Sequence, residues 1–218
     1  QAGLWMAMSG VSFWGYDLGG FYNTGYIGNE ERPNIEDYLS SVQMGLWMPL
    51  SRAHGKTPRE PWQYGDMALK EVKKWINFRH RLVPYLYHTA CQTHQSGIPM
   101  IRPLVMEYPK DPIAKIQNLS YMLGDALLIS PGFDRDEYEL YLPEGRWQDI
   151  ESKEVYEGMT FVHIENKAFA DGGTSLRVFQ KEGTSIPLFT QKEVLHVPAQ
   201  LWKQEDLEFM TFQKKDVD

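Results

Sequence analysis

Asp17, Arg52 and His54 are the side chains best placed to do chemistry, because each falls near the end of a short apolar, strand-like stretch. Asp17 closes the run Phe13-Trp14-Gly15-Tyr16-Asp17 and is followed by Leu18-Gly19-Gly20-Phe21. An apolar run bounded by glycines fits a buried strand. On a strand, side chains alternate, so Phe13, Gly15 and Asp17 share one face. The carboxylate then stands at the C-terminal end, which in a (β/α) barrel supplies catalytic and binding groups. His54, in Ser51-Arg52-Ala53-His54, offers an imidazole that can donate or accept a hydrogen bond. Each residue taken alone also has a structural reading. Asp17 could be a buried carboxylate satisfied by backbone N–H groups, and His54 an ordinary loop histidine.

Other reactive types carry less. His80, His88 and His94 lie on a predicted helix without the spacing of a metal-ligand set, which favours a solvated or packed role over zinc. The single cysteine, Cys91, excludes an internal disulfide and reads as an inert buried thiol. Asn118-Leu119-Ser120 matches a glycosylation sequon by pattern only. Trp14, Tyr16 and Trp62 suit a binding pocket, and core packing accounts for them equally well.

The elements that must position these residues begin as α/β. Gln1 to Gly10 reads as a helical end leading into the Phe13 strand, and Tyr22 to Pro33 as a polar loop. Asn34 is a plausible N-cap with Asp37 three residues on, ahead of Ile35, Leu39, Val42, Leu46 and Trp47 at helical spacing. Met48 to Arg52 forms a second strand. Asp66 is expected to cap one long helix from Met67 to Ser96, kinked at Pro84 and stopped by Gly97. After Gly97 the pattern becomes strands: Met100–Met106, Ala126–Ser130, Tyr138–Leu142, Phe161–Ile164, Leu176–Gln180 and Ser185–Phe189, with one short helix near Ile113–Met122. Turns at Pro143-Glu144-Gly145, Asp171-Gly172-Gly173 and Glu182-Gly183 separate them, as in an antiparallel β-sandwich. A boundary is placed near Gly97, and Leu207–Phe212 reads as one further strand beyond Pro198.

Composition narrows the partners. With 42% hydrophobic and 13% aromatic residues, the chain can build a packed core. Its net charge of −7, with the cations scattered, argues against a nucleic-acid surface. No stretch approaches the ~18–20 apolar residues of a membrane span. The chain opens inside what reads as structured sequence, so it is expected to be a fragment. Compartment is left open with the cytoplasm favoured, and a homo-oligomer is left open too.

The Phe13–Phe21 stretch, Pro49-Leu50-Ser51-Arg52-Ala53-His54-Gly55 with Arg59-Glu60-Pro61-Trp62, and Arg81-Leu82-Val83-Pro84-Tyr85-Leu86-Tyr87 occur in that order. Pro99-Met100-Ile101-Arg102-Pro103-Leu104, Tyr121-Met122-Leu123-Gly124-Asp125 and Tyr141-Leu142-Pro143-Glu144-Gly145-Arg146-Trp147 follow. Together they resemble the C-terminal part of glycoside hydrolase family 31, the α-glucosidases and α-xylosidases, and most nearly its bacterial α-xylosidase-like branch.

The resemblance implies the last strand–helix units of a (β/α)8 TIM barrel over residues 1–97 and an antiparallel β-sandwich over 98–200. Residues 201–218 would then begin a truncated distal β domain or a tail. It implies a retaining α-glycosidase without metal or organic cofactor. That mechanism needs two carboxylates about 5 Å apart, a nucleophile and an acid/base. In the family both are aspartates on earlier barrel strands, and neither motif occurs in this sequence, so the chain alone is expected to be inactive. What it implies here is sugar binding at the −1 subsite by Asp17, His54 and Phe21. Arg52 is placed to pair with Asp17 and hold it ionised, and Trp14 is a further substrate-binding candidate. The alternatives are a non-catalytic carbohydrate-binding or structural subunit and an unrelated β-sandwich adhesion module.

Overall fold

The computed structural model describes residues 1–21, 33–56, 58–132, 136–165, 176–190 and 199–214. Residues 22–32 of the predicted loop, the turn at 171–173 and the boundary residue Pro198 lie outside these residues.

Helix α1 (Ala2–Met8) leads to strand β1 (Gly15–Asp17), helix α2 (Ile35–Gly45) and strand β2 (Leu50–Arg52). β1 and β2 pair in parallel, with Gly15, Tyr16 and Asp17 opposite Leu50, Ser51 and Arg52. Parallel neighbours need a crossover, and α2 supplies it. α2 starts as the sequence predicts: the Asn34 side chain accepts a hydrogen bond from the Asp37 N–H at 2.8 Å. It buries Tyr38, Leu39 and Val42 against Ala68 and Val72.

The two-residue period sorts the strand side chains. Tyr16 and Ser51 face α2, the Tyr16 hydroxyl meeting Ser41 Oγ at 3.0 Å and Ser51 Oγ donating to the Gly45 carbonyl. Phe13, Leu50 and Arg52 stay exposed on the other side. In a closed barrel that second side is the lumen.

One long helix is corrected to two, α3 (Asp66–Arg81) and α4 (Val83–Ser96). The chain breaks at Leu82, which puts Pro84 in the first turn of α4, where its missing N–H is no loss. His80 therefore sits on a different helix from His88 and His94. Asp66 is the first residue of α3 rather than its cap, a place taken by Gly65. Gly97 ends α4 in the left-handed conformation, φ 76°. Cys91 is exposed, not buried, because α4 buries Pro84, Tyr85, Leu86 and Thr89 and leaves the thiol outside that stripe.

Beyond Gly97 the chain is mostly antiparallel sheet. β3 (Ile101–Pro103) passes at once into α5 (Leu104–Glu107), so the expected strand to Met106 is half its length. The helix expected near Ile113–Met122 is a single turn at Ala114–Ile116 followed by β4 (Tyr121–Leu123). The sequence reading finds β5 (Leu127–Pro131), β6 (Glu137–Leu142), β9 (Thr160–Glu165), β10 (Leu176–Lys181) and β11 (Thr184–Phe189), and passes over β7 (Arg146–Asp149) and β8 (Val155–Glu157).

Among the described residues, one sheet runs β3-β4-β5-β10-β7-β8. Its two faces are both covered. Tyr121, Leu123, Leu127, Ile129 and Val178 join Leu82, Tyr85 and Leu86 of the helical part. Met122, Leu128 and Phe179 join Tyr138, Leu140, Val162 and Ile164 of the β6–β9 ribbon. That stacking is the predicted sandwich. Leu207–Phe212, β12, pairs antiparallel with β11 along its length.

The motifs of residues 81–87, 99–104 and 121–125 meet at the junction of helix and sheet. The Tyr85 hydroxyl donates to the Leu123 carbonyl at 2.6 Å and accepts from the Ala126 N–H at 3.1 Å. Gly124, at φ 59°, leaves room for that hydroxyl; a Cβ there would collide with it. Arg102 donates to the Gly124 carbonyl at 3.0 Å and to Asp125 at 2.7 Å, and pairs with Glu107. The helices and the sheet thus share one buried core, with no gap at Gly97.

On the outer side of the β6–β9 ribbon, His163 Nδ1 lies 2.8 Å from Glu139, with Glu137 and Glu165 also near. The Glu139 hydrogen bond, opposed by desolvation and helped by the three carboxylates, raises the His163 pKa above 6.5. A raised histidine pKa stabilises the fold fully below the unfolded value and loses that contribution as pH rises through the folded one. Thermal melts of wild type and His163→Gln should therefore differ at about pH 5.5 and converge near pH 9. Equal differences at both would show that the imidazole charge plays no part.

Candidate functional site

Asp17 and Arg52 are register partners at the ends of two adjacent parallel strands. Arg52 Nε donates to Asp17 Oδ1 and Nη2 to Oδ2, the latter at 3.4 Å. The hydrogen bond from Arg52 holds the Asp17 carboxyl below the usual carboxylate range; desolvation opposes it, and the Arg52 and His54 charges assist. Asp17 is consequently an anion with both oxygens engaged. That suits accepting hydrogen bonds more than attack or proton transfer.

The exit turns bring the other groups in. The Gly20 N–H donates to the Asp17 carbonyl at 2.8 Å, closing a turn in which Gly19 and Gly20 have φ 79° and 76°. Glycine adopts two successive left-handed conformations without the Cβ strain other residues would carry. The turn delivers Phe21, whose carbonyl accepts from the Lys56 N–H at 3.0 Å. Its ring lies 5.1 Å from that of His54, tilted by 33°. Leu18 N–H to Arg52 carbonyl, 2.9 Å, continues the strand pairing past the last ladder residue. Asp17, Phe21, Arg52 and His54 thus converge at one pair of C-terminal strand ends.

Trp14 does not join them. It alternates to the opposite face from Asp17, with its indole so close against α1 that a Cβ on Gly3 would overlap it, and packs on the main core. Tyr16 is likewise turned to α2, and Trp62 is exposed on the Pro61–Tyr64 turn. The residue that sequence reasoning missed is Arg59, which enters it only as part of a motif. Its Nη1 donates to the Gly19 carbonyl, and its own carbonyl accepts from the Tyr38 hydroxyl at 2.9 Å. The local signal was the run of small residues facing it: Gly19, Gly20 and Gly55.

A separate cleft of about 510 Å³ opens among Trp47, Phe78, Leu176 and Arg177, and includes none of these site residues. Among the described residues, no group of three His, Cys, Asp or Glu side chains could hold a metal ion, and no helix is long and apolar enough to cross a membrane. The site offers an anion, a guanidinium, an imidazole and an aromatic face, a set suited to a neutral ligand rich in hydroxyls.

Residues 1–89 match the glycosyl hydrolases family 31 TIM-barrel domain, and residues 97–192 match the family 31 C-terminal domain. The chain belongs to glycoside hydrolase family 31. It is 33% identical to neutral alpha-glucosidase AB of Mus musculus over 84% of its own length and 19% of that protein's. It is 32% identical to an alpha-xylosidase of Saccharolobus solfataricus, over 86% and 25%. The structure of a family 31 dextranase from Flavobacterium johnsoniae, complexed with glucose, superposes with a TM-score of 0.75 at 31% identity, covering 87% of this chain and 23% of that one. This family 31 chain therefore spans a quarter or less of each of these relatives. Glucosidase and xylosidase match it about equally well, so the family is plain and the α-xylosidase-like branch is not singled out.

Proposed function

We propose that these residues form the sugar-holding side of the −1 subsite in a retaining family 31 enzyme that hydrolyses terminal non-reducing α-xylosyl or α-glucosyl residues. The observation that carries this reading is the convergence of Asp17, Arg52, His54 and Phe21 at neighbouring strand ends. An Arg-held carboxylate accepts from two hydroxyls, the imidazole binds another, and Phe21 covers the apolar face of the ring. The nucleophile and acid/base would come from segments other than these 218 residues. No cofactor is invoked, and the partner is the carbohydrate substrate. In this reading the chain divides at 1–97, 98–200 and 201–218, and the two family domains matched at 1–89 and 97–192 support the first boundary.

The test is turnover of p-nitrophenyl α-xyloside and α-glucoside by the complete enzyme, beside the 218-residue chain alone. The complete enzyme should hydrolyse one or both, and the chain alone neither. Activity that copurifies with the 218-residue chain would overturn the division of roles. Sugar binding by a complete protein that turns over neither substrate would instead favour a non-catalytic carbohydrate-binding subunit. In the complete enzyme, His54→Ala should lower kcat/KM by roughly 10- to 150-fold, the equivalent of one charge-assisted or well-placed hydrogen bond.

A further inference from the structure

We infer that Arg59 is a positioning residue that locks the two loops of this site together, and that it serves geometry rather than stability. The inference rests on the subsite reading above and adds a residue that does not touch the proposed sugar position. Its side chain runs between the loops. A methyl group on Gly55 would sit 2.6 Å from Arg59 Cδ and Nε, and one on Gly20 3.6 Å from Nη1. The guanidinium therefore fills the space between the Asp17–Phe21 turn and the His54–Gly55 loop, and Nη1 holds the first through the Gly19 carbonyl.

The backbone of Arg59 is anchored in turn. Tyr38, only 2% exposed, donates to its carbonyl and is stacked on Tyr64 with centroids 3.9 Å apart. A path of direct contacts thus runs from the buried face of α2, through Tyr38 and Arg59, to both loops. Among the described residues, Arg59 Nε and Nη2 are nevertheless buried without a hydrogen-bond partner. Buried donors without acceptors cost stability, so a guanidinium placed this way is a poor stabiliser. What it does supply is a rigid fork of fixed shape on a long apolar stem.

The experiment compares Arg59→Met and Arg59→Lys with wild type in the complete enzyme. Arg59→Met should keep or raise Tm, because it removes the orphaned donors and retains the stem. It should lower kcat/KM by about 100-fold, the scale of an ångström-sized misplacement of binding groups, with the loss in kcat exceeding the rise in KM. Arg59→Lys, which keeps a donor for the Gly19 carbonyl, should recover part of that loss. Gly55→Ala should reproduce the defect, and combining it with Arg59→Met should add little, because both disturb one contact.

A crystal structure of Arg59→Met separates the two readings. The Phe21–His54 ring separation should widen from 5.1 Å. If it stays there, or if Tm falls sharply in Arg59→Met, the inference is overturned. If the rings separate while His54→Ala and Arg59→Met both leave activity intact, Arg59 still locks the loops and the subsite reading fails.

Discussion

Asp17→Asn in the complete enzyme should lower kcat/KM by about 10- to 150-fold on both α-xyloside and α-glucoside substrates, the worth of one hydrogen bond to a charged group. The substitution keeps the shape and removes the charge. It also leaves Arg52, now bonded to both carboxylate oxygens, without its anion, so the upper part of the range is expected. Azide should restore nothing if, as proposed, Asp17 binds the sugar, because azide replaces only a missing nucleophile.

The pH profile provides an independent check. With its pKa held below the ordinary value of 3.8, the Asp17 charge contributes throughout the range above that value. The contribution is lost only as pH falls through the lowered folded-state pKa. The acid limb of wild type should therefore lie where other groups put it, and Asp17→Asn should reduce the rate without moving that limb. Unchanged kcat/KM on both substrates would make Asp17 a structural carboxylate.

Asp149→Ala should be the most destabilising single change in the sheet. Asp149 is 1% exposed, and its Oδ2 accepts from Arg177 Nη2 at 2.6 Å and Nε at 2.8 Å. Its Oδ1 accepts the N–H groups of Glu151 and Ser152 at 2.8 and 3.0 Å. Removing it leaves a largely buried guanidinium unpaired and two turn N–H groups unsatisfied. Breaking such a pair costs about 3–5 kcal/mol, a large part of a typical stability of roughly 5–15 kcal/mol. At about 2–4 °C per kcal/mol for a chain of this size, Tm should fall by roughly 6–20 °C.

Asp149→Leu with Arg177→Met should recover much of that loss, since it removes both charges and restores apolar volume. Calorimetry showing a fall of less than about 1 °C for Asp149→Ala, well below the expected scale, would mean that water replaces the carboxylate. A double variant no better than the single one would instead assign the loss to the two turn hydrogen bonds.

The α/β beginning and the sandwich that follows were legible because their signals are short-ranged. The Asn34 cap acts on Asp37, three residues away, and the left-handed Gly97 ends its own helix. Strands buried on both faces read as apolar runs, so Leu127-Leu128-Ile129 stood out. β4 overlaps the stretch read as a helix. β7 and β8 mix charged and polar residues with apolar ones, so they are defined by their partners rather than by an apolar run. Pro84 shows the same limit. A proline inside an apolar helical period signals a kink or a new first turn, and only the packing of Leu82 into the core settled it as the second.

For the site, the sequence by itself determined that Asp17 ends one strand, that Arg52 ends the next, and that His54 follows it. Its two-residue period already put Trp14 on the face away from Asp17, although an aromatic beside a carboxylate suggests a pocket. Only the tertiary structure decided that the two strand ends lie side by side in register, which turns residues 35 positions apart into an ion pair. It also decided that Arg59 reaches back 40 positions to the Gly19 carbonyl through space that Gly20 and Gly55 leave open. The physical reason is range: alternation and capping act over two to four residues, whereas strand adjacency and the fit of a side chain between loops exist only once the chain has closed on itself.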